Sequence, residues 1–186
     1  MPDLLQIGGI TDAMQARLEV AFTIHQLDNF EPEKITHVIT NGHDGVNPDL
    51  MTSLTNLKVI SGYGVGYDAV DANEAARRGI YVTHTPNVLN EEVATTALLL
   101  MLTCYREALR DDAYVRSGAW ETKGNAPLTR SAENQTVGIL GLGRIGQAIA
   151  NKLAPWNANI VYHSRNKKDV SYTYYDNLTT MALDCD

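Results

Sequence analysis

The chain has 186 residues, with 15 Lys and Arg against 22 Asp and Glu, which gives a formal net charge of −7. Proteins that bind nucleic acid usually carry a basic excess that neutralises phosphates, so this acidic balance argues against a nucleic-acid partner. A composition of 44% hydrophobic and 20% charged residues is typical of a globular protein and excludes a disordered tail. At roughly 100–200 residues per domain, the length allows one large domain or two small ones.

Targeting and metal-binding signals are absent from the sequence. It has no stretch of about 18 apolar residues and no signal-peptide pattern, which predicts a cytoplasmic protein without a membrane partner. Cys104 and Cys185 lie far apart and predict neither a disulfide framework nor a redox pair. We expect Cys104 to lie in the core. The pair His43-Asp44 is too isolated to indicate a metal site, so none is predicted.

Short runs rich in β-branched residues alternate with helical patterns in the first half of the chain. Leu4 to Ile7 predicts a strand, and a helix capped near Thr11 or Asp12 follows it. Further strands are predicted at residues 22–27, 37–40, 57–61 and 80–83, with helices at 48–54 and 72–78. Strands and helices in this alternation predict an α/β fold with a parallel sheet that is covered on both faces.

The pattern changes at Asn90. Apolar residues then recur at helical spacing and predict one long helix to about Ser117: Val93, Ala97, Leu100, Met101, Cys104 and Ala108. The stretch 118–133 contains Gly and Pro and predicts a surface connection, with Trp120 as an anchor beneath it. We therefore divide the chain into a first domain at residues 1–89, a long connecting helix at 90–118 and a second domain at 119–186.

The second domain carries a Gly-x-G-x-x-Gly motif, which we call the fingerprint loop, between the predicted strand 136–140 and a helical run to Leu153: Gly141, Leu142, Gly143, Arg144, Ile145 and Gly146. Its first glycine permits a tight turn, its second lets the backbone approach a pyrophosphate, and its third allows close helix–strand packing. The helix dipole favours negative charge at the same place. The glycines could serve packing alone, but the strand-to-helix context favours a dinucleotide site.

The next strand, at 159–163, ends where dinucleotide-binding proteins contact the adenosine ribose. Enzymes that select NAD usually place Asp or Glu there, about 20 residues past the glycines, to bond the ribose 2′-hydroxyl. Here Ser164 is followed by Arg165, with Lys167 and Lys168 close behind. A guanidinium binds a phosphate in bidentate fashion, so the sequence predicts NADP in preference to NAD. The alternative is a solvated basic loop.

Three segments together resemble the D-isomer-specific 2-hydroxyacid dehydrogenases: LKVISGYGVGYDAVD at 57–71, TPNVLNEEVA at 85–94 and the fingerprint loop. The Ser164-Arg165 ending and the run Tyr172-Thr173-Tyr174-Tyr175 are most similar to the NADP-dependent glyoxylate, hydroxypyruvate and hydroxyphenylpyruvate reductases. The resemblance implies a flavodoxin-like, parallel-sheet substrate domain followed by the first part of a Rossmann domain. It also implies an oxidoreductase that transfers hydride between NADP(H) and a small 2-oxo or 2-hydroxy acid.

The resemblance also implies which residues bind ligands. The loop with Val65 and Gly66 would hold the substrate carboxylate through main-chain amides, although a plain turn is the alternative. The pyrophosphate loop corresponds to Leu142, Gly143, Arg144 and Ile145, and the ribose-phosphate loop to Ser164, Arg165 and Asn166. The sequence departs from the family pattern in two places. Thr95 replaces a usually acidic residue, and Asn134-Gln135 replaces a glycine before the strand.

Family catalysis depends on a histidine, a glutamate and an arginine from the later half of the dinucleotide domain or just after it. None of the five histidines takes that role, so we predict no catalytic residue and a chain that is truncated relative to the family, with negligible reductase activity by itself. A homodimer is expected. Two alternatives remain: a non-catalytic nucleotide- or substrate-binding module, and an interaction protein that dimerises through the helix predicted from Asn90 to Ser117.

Overall fold

The computed structural model describes residues 1–186, which divide into two units, Met1–Val88 and Leu89–Asp186. Each unit contains its own parallel sheet and its own apolar core, which confirms the predicted α/β fold class. Neither unit has a helix with the length and hydropathy that a membrane span requires.

The first unit has five strands and three helices: β1 (Asp3–Ile7), α1 (Asp12–Ala21), β2 (Thr23–Gln26), β3 (Ile35–Asn41), α2 (Pro48–Ser53), β4 (Val59–Tyr63), α3 (Ala72–Arg77) and β5 (Tyr81–Thr83). All neighbouring strands are parallel, in the order β2-β1-β3-β4-β5. This is the flavodoxin-like order, in which the chain reverses direction across the sheet between β1 and β3. Because such crossovers are right-handed, α1 lies on one face of the sheet and α2 and α3 lie on the other.

The core of the first unit explains the predicted strand positions. Alternate residues of the strands pack with α2 and α3, and the cluster includes the fully buried Leu5, Ile35, Leu54, Ile60 and Ala75. Burying this apolar surface supplies the main free energy of folding for the unit. The loops after β4 and β5 leave the same edge of the sheet, because the carboxyl ends of parallel strands meet there.

The second unit has five helices and three strands: α4 (Asn90–Tyr105), α5 (Ala108–Arg116), α6 (Ala119–Lys123), β6 (Thr136–Leu140), α7 (Arg144–Leu153), β7 (Asn159–His163), β8 (Thr173–Tyr174) and α8 (Leu178–Leu183). The strands are parallel in the order β6-β7-β8. The core joins the sheet to α7, and Leu98 and Met101 of α4 pack against it. Strands β6 and β7 have the bounds that the sequence predicts.

The single helix predicted over residues 90–118 is wrong. The chain breaks between α4 and α5, where Glu107 adopts a left-handed conformation with φ of 45°. Arg106 donates from Nε to the Thr129 hydroxyl at 2.8 Å, and Arg110 donates to the carbonyl of Pro127 at 3.1 Å. These side chains bind the connection that follows, and helical periodicity does not reveal such long-range contacts.

Two side-chain predictions in this region are also wrong. Cys104 is exposed on α4, because the face that packs on the sheet carries Leu98 and Met101 instead. Trp120 is 58% exposed on α6 and does not lie beneath the connection. The second unit therefore presents more apolar surface than the sequence predicts.

Candidate nucleotide site and carboxylate loop

The fingerprint loop follows β6 and is hydrogen-bonded to the end of β7. Gly141 has a φ of +91°, which L side chains rarely adopt, so the tight turn after the strand requires glycine here. Its N–H donates to the carbonyl of His163 at 2.8 Å. This hydrogen bond holds the fingerprint loop beside the loop that starts at Ser164.

The other two glycines of the fingerprint loop differ in their surroundings. Gly146 is buried on α7, and a Cβ there would overlap the carbonyl oxygen of Gly141. A Cβ on Gly143 would meet no atom within 4 Å, so the space beside its backbone is open. Gly146 therefore permits packing, whereas Gly143 leaves room for a ligand to approach the backbone.

The N-terminus of α7 has no side-chain cap. Gly143 occupies the N-cap position, and no acidic residue lies in the first turn. By contrast, α1, α2, α3 and α8 begin at polar side chains that accept a backbone N–H: Thr11, Asn47, Asp71 and Asn177. The first N–H groups of a helix lack intrahelical partners, and the helix dipole adds partial positive charge, so this end of α7 suits an anion.

A cavity of about 490 Å³ opens at the carboxyl ends of β6 and β7. It is lined by nine residues from the ends of the two strands and the loops that follow them: Leu140, Gly141, Leu142, Gly143, His163, Ser164, Arg165, Asn166 and Lys168. Two of these residues, Arg165 and Lys168, are basic, and no carboxylate is among them. The arrangement suits a ligand with phosphate groups at both ends of the cavity.

Six of the nine predicted cofactor residues line this one cavity, and the other three do not. Arg144 instead lines a neighbouring cleft of about 400 Å³ with Asn90, Glu91 and Gln147. Ile145 is half-buried and Gly146 is buried on α7, and neither lines the cavity. Lys168 lies in the basic run after β7 without being among the predicted cofactor residues, and the structure adds it to the lining of the cavity.

The loop with Val65 and Gly66 lies at the carboxyl end of β4 in the first unit. Val65 O is hydrogen-bonded to Nδ1 of His84 at 2.9 Å, and the carbonyl of Gly64 accepts the Thr85 N–H at 2.8 Å. A Cβ on Gly42 would lie 3.0 Å from the carbonyl oxygen of Gly66, so the loop after β3 also approaches closely. These contacts hold a glycine-rich turn whose N–H groups can bind an anion.

The histidines do not form a catalytic constellation. Only His25 contacts a carboxylate, that of Asp3 at 2.8 Å, and this pair joins β2 to β1. Burial, with a smaller effect of the Lys58 charge, lowers the pKa of His37. No group of three or more His, Cys, Asp or Glu side chains is arranged to hold a metal ion.

Residues 98–186 match the family model described as D-isomer specific 2-hydroxyacid dehydrogenase, NAD binding domain. The whole chain is 38% identical to the 2-ketogluconate reductase of Gluconobacter oxydans and covers 61% of that enzyme. It spans about two fifths to three fifths of the length of the curated relatives it matches.

Solved structures extend the likeness to both units. A Sinorhizobium meliloti NADPH-dependent glyoxylate/hydroxypyruvate reductase, solved in complex with NADP and malonate, is 35% identical with a TM-score of 0.86, and the match covers 100% of this chain and 60% of that one. A dehydrogenase from Rhizobium meliloti is 30% identical with a TM-score of 0.81, over 98% of this chain and 67% of that one. The fold, the fingerprint loop and these matches show that the chain belongs to the D-isomer-specific 2-hydroxyacid dehydrogenase family.

Proposed function

We propose that the chain is the NADP- and substrate-binding part of an oxidoreductase that transfers hydride between NADP(H) and a small 2-oxo or 2-hydroxy acid. The observation that carries this proposal is the cavity at the ends of β6 and β7. There the uncapped N-terminus of α7 and the basic loop from Ser164 to Lys168 face one space. Under this proposal, residues 1–89 form the substrate domain and 119–186 form part of the cofactor domain.

NADP is supported over NAD by the charges at the end of β7. Ser164 replaces the carboxylate that would bond a ribose 2′-hydroxyl, and Arg165 and Lys168 both line the cavity. A 2′-phosphate forms an ion pair with a guanidinium and can accept two parallel hydrogen bonds from it, whereas a neutral 2′-hydroxyl forms no ion pair. The solved relative that was crystallised with NADP has the same family fold.

Each group of residues has a distinct part in the proposed binding. The pyrophosphate lies against the backbone of Gly141, Leu142 and Gly143, which line the cavity, and faces the first N–H groups of α7, those of Arg144 and Ile145. Gly146 allows the helix to pack behind them. The ribose phosphate lies against Ser164, Arg165 and Asn166. When bound, NADPH supplies the hydride. In the first unit, the amides of Val65 and Gly66 hold the carboxylate of a 2-oxo acid such as glyoxylate or hydroxypyruvate.

No residue of this chain is proposed as catalytic. The resemblance implies a catalytic histidine tuned by a glutamate, and the one histidine of this chain in contact with a carboxylate, His25, instead joins β2 to β1. We therefore propose binding with negligible turnover for the 186-residue chain alone. A non-catalytic binding module has the same binding residues and stays an alternative. The cytoplasmic location and the absence of a nucleic-acid partner stay predictions.

A homodimer is the second part of the proposal, and exposed apolar side chains support it. Leu128 is 99% exposed, and further apolar residues of the second unit are largely exposed: Leu99, Leu100, Leu109, Val115 and Trp120. An apolar groove of about 420 Å³ follows α4 between Leu89 and Leu100. A contiguous apolar groove of this kind marks an interaction surface, and it equally favours the alternative of an interaction protein.

Titration of the purified chain tests the proposed function. We expect NADPH to bind with a change in its fluorescence and to bind more tightly than NADH. NADPH oxidation with glyoxylate or hydroxypyruvate, followed by absorbance, is expected to stay at the background rate. No fluorescence change up to millimolar NADPH contradicts the nucleotide site, whereas measurable turnover contradicts the proposal that the chain lacks catalytic residues.

A further inference from the structure

The backbone of the basic loop is bound to a tyrosine in the core of the second unit. Tyr162, on β7, has a relative exposure of 0%. Its hydroxyl accepts the Lys168 N–H at 2.8 Å and donates to the Lys168 carbonyl at 3.2 Å. One buried hydroxyl thus binds both peptide groups of a residue six positions further along the chain.

A second tyrosine holds the other end of the same loop. Tyr174, the residue paired with Tyr162 across β7 and β8, donates its hydroxyl to the Ser164 carbonyl at 3.3 Å. The two rings are in contact, with centroids 5.4 Å apart. Inside the loop, the Ser164 hydroxyl donates to the Asn166 carbonyl at 2.7 Å. The loop from Ser164 to Lys168 is therefore fixed at its first and last residues by hydroxyls from the sheet.

We propose that Tyr162, supported by Tyr174, is a positioning residue that sets the preference for NADP over NAD. Neither tyrosine lines the cavity, whereas Ser164, Arg165 and Lys168 do. A free loop carrying three exposed cations would spread its charge over many conformations, and binding would then cost the entropy of ordering the loop. The tyrosine hydroxyls hold the loop in one conformation before the ligand arrives. This inference depends on the proposed function, because it deepens the same cofactor site.

The expected effect differs between the two cofactors. The 2′-phosphate of NADP would meet the loop cations, whereas NAD presents a neutral hydroxyl there, and both share the pyrophosphate contacts at α7. Loosening the loop is therefore expected to lower the affinity for NADP and to leave the affinity for NAD nearly unchanged. General damage to the fold would lower the affinities for both cofactors by the same factor.

The test uses the full 186-residue chain and the variants Tyr162→Phe, Tyr174→Phe and Tyr172→Phe. Phenylalanine keeps the ring and removes only the hydroxyl. Tyr172 is the matched control, because it packs against the same core and makes no hydrogen bond to the loop. Dissociation constants for NADP⁺ and NAD⁺ are measured by calorimetry at one fixed ionic strength, and the ratio of the two constants is compared between variants.

We expect Tyr162→Phe to raise the dissociation constant of NADP⁺ about tenfold, which is the scale of one lost hydrogen bond. The dissociation constant of NAD⁺ is expected to rise less than about twofold. Tyr174→Phe is expected to act in the same direction with a smaller effect, and Tyr172→Phe to change neither constant. If the ratio of the NADP⁺ and NAD⁺ dissociation constants is unchanged in both Tyr162→Phe and Tyr174→Phe, including the case in which both constants rise equally, the inference is overturned and the proposed function stays intact. If Tyr162→Phe does not fold, the ratio measured with Tyr174→Phe decides. A wild-type chain that binds neither cofactor overturns the proposed function, and the inference with it.

Discussion

Gly146 packs so closely on the turn at Gly141 that a side chain at position 146 would overlap the carbonyl oxygen of Gly141. Gly143, three residues earlier, faces open space. The fingerprint loop therefore combines one glycine that the packing of the fold requires with one that leaves open space where we propose that the pyrophosphate binds. The two roles are separable by experiment, because the substitution Gly→Ala adds the same methyl group at both positions.

We expect Gly146→Ala to reduce the free energy of unfolding of the second unit by about 1–3 kcal/mol, the usual cost of overpacking. Gly143→Ala is expected to cost less than about 1 kcal/mol, since the added methyl group meets no protein atom. It is nevertheless expected to weaken NADPH binding strongly, because the methyl group occupies the approach to the pyrophosphate. Urea unfolding and NADPH titration of both variants measure the two effects. Normal NADPH affinity in Gly143→Ala would count against the proposed pyrophosphate position.

Arg165 is the residue on which NADP preference is expected to depend most. Its replacement by Ala removes a charge-assisted contact, which is typically worth about 1.5–3 kcal/mol, so NADP affinity is expected to fall by about one to two orders of magnitude. NAD affinity is expected to change little. Arg17→Ala removes the same charge from exposed α1 and serves as the control. Equal NADP affinities in the two variants would mean that the basic loop is only solvated.

His37 makes the stability of the first unit dependent on pH. Burial and the Lys58 charge lower its folded-state pKa below the ordinary 6.5, so the unfolded chain binds more protons between the two values. The stabilising contribution is complete above about pH 6.5 and is lost as the pH falls through the lowered pKa. We expect His37→Gln to reduce the loss of stability between pH 7 and pH 5.5, as measured by urea unfolding at both values. The same pH dependence in the variant and the wild type would show that other groups cause it.

His84 is expected to support the loop with Val65 and Gly66, the proposed carboxylate site, through its hydrogen bond to the Val65 carbonyl. Removing this bond frees the peptide between Val65 and Gly66, so His84→Ala is expected to weaken binding of oxalate about tenfold. Asn has a side-chain N–H₂ group, and His84→Asn is expected to restore part of the affinity. Amide chemical shifts of Gly66 during an oxalate titration give the dissociation constants. Shifts confined to other residues would place the carboxylate elsewhere.

The apolar groove on α4 is expected to form the dimer contact. Leu100→Lys places a charge in this groove, where the side chain is 60% exposed, so the core stays intact. Val20→Lys, at an 82% exposed position on α1, is the matched control. Light scattering is expected to show a dimer for the wild type and the control, and a monomer for Leu100→Lys. A monomeric wild type at high concentration argues against both the homodimer and the interaction protein.

Much of the fold and part of the site could be predicted from the sequence. Strands β6 and β7, the turn at Gly141 and the helix that follows depend on residues next to one another in the chain, and local patterns describe such segments well. The break between α4 and α5 could not be predicted, because the bonds from Arg106 to Thr129 and from Arg110 to Pro127 reach residues 23 and 17 positions away. The exposure of Cys104 has the same cause, since only packing decides which face of an apolar helix is covered.

The sequence by itself determined the two α/β units, the fingerprint loop and the basic run after β7, since each depends on the spacing and charge of residues that are close together in the chain. Only the tertiary structure decided that Gly141 is hydrogen-bonded to His163. It also decided that the basic loop shares a cavity with Gly143 and that the Tyr162 hydroxyl binds the backbone of this loop. The physical reason is that parallel strands bring distant segments to one edge of a sheet, where hydrogen bonds across the chain set their geometry.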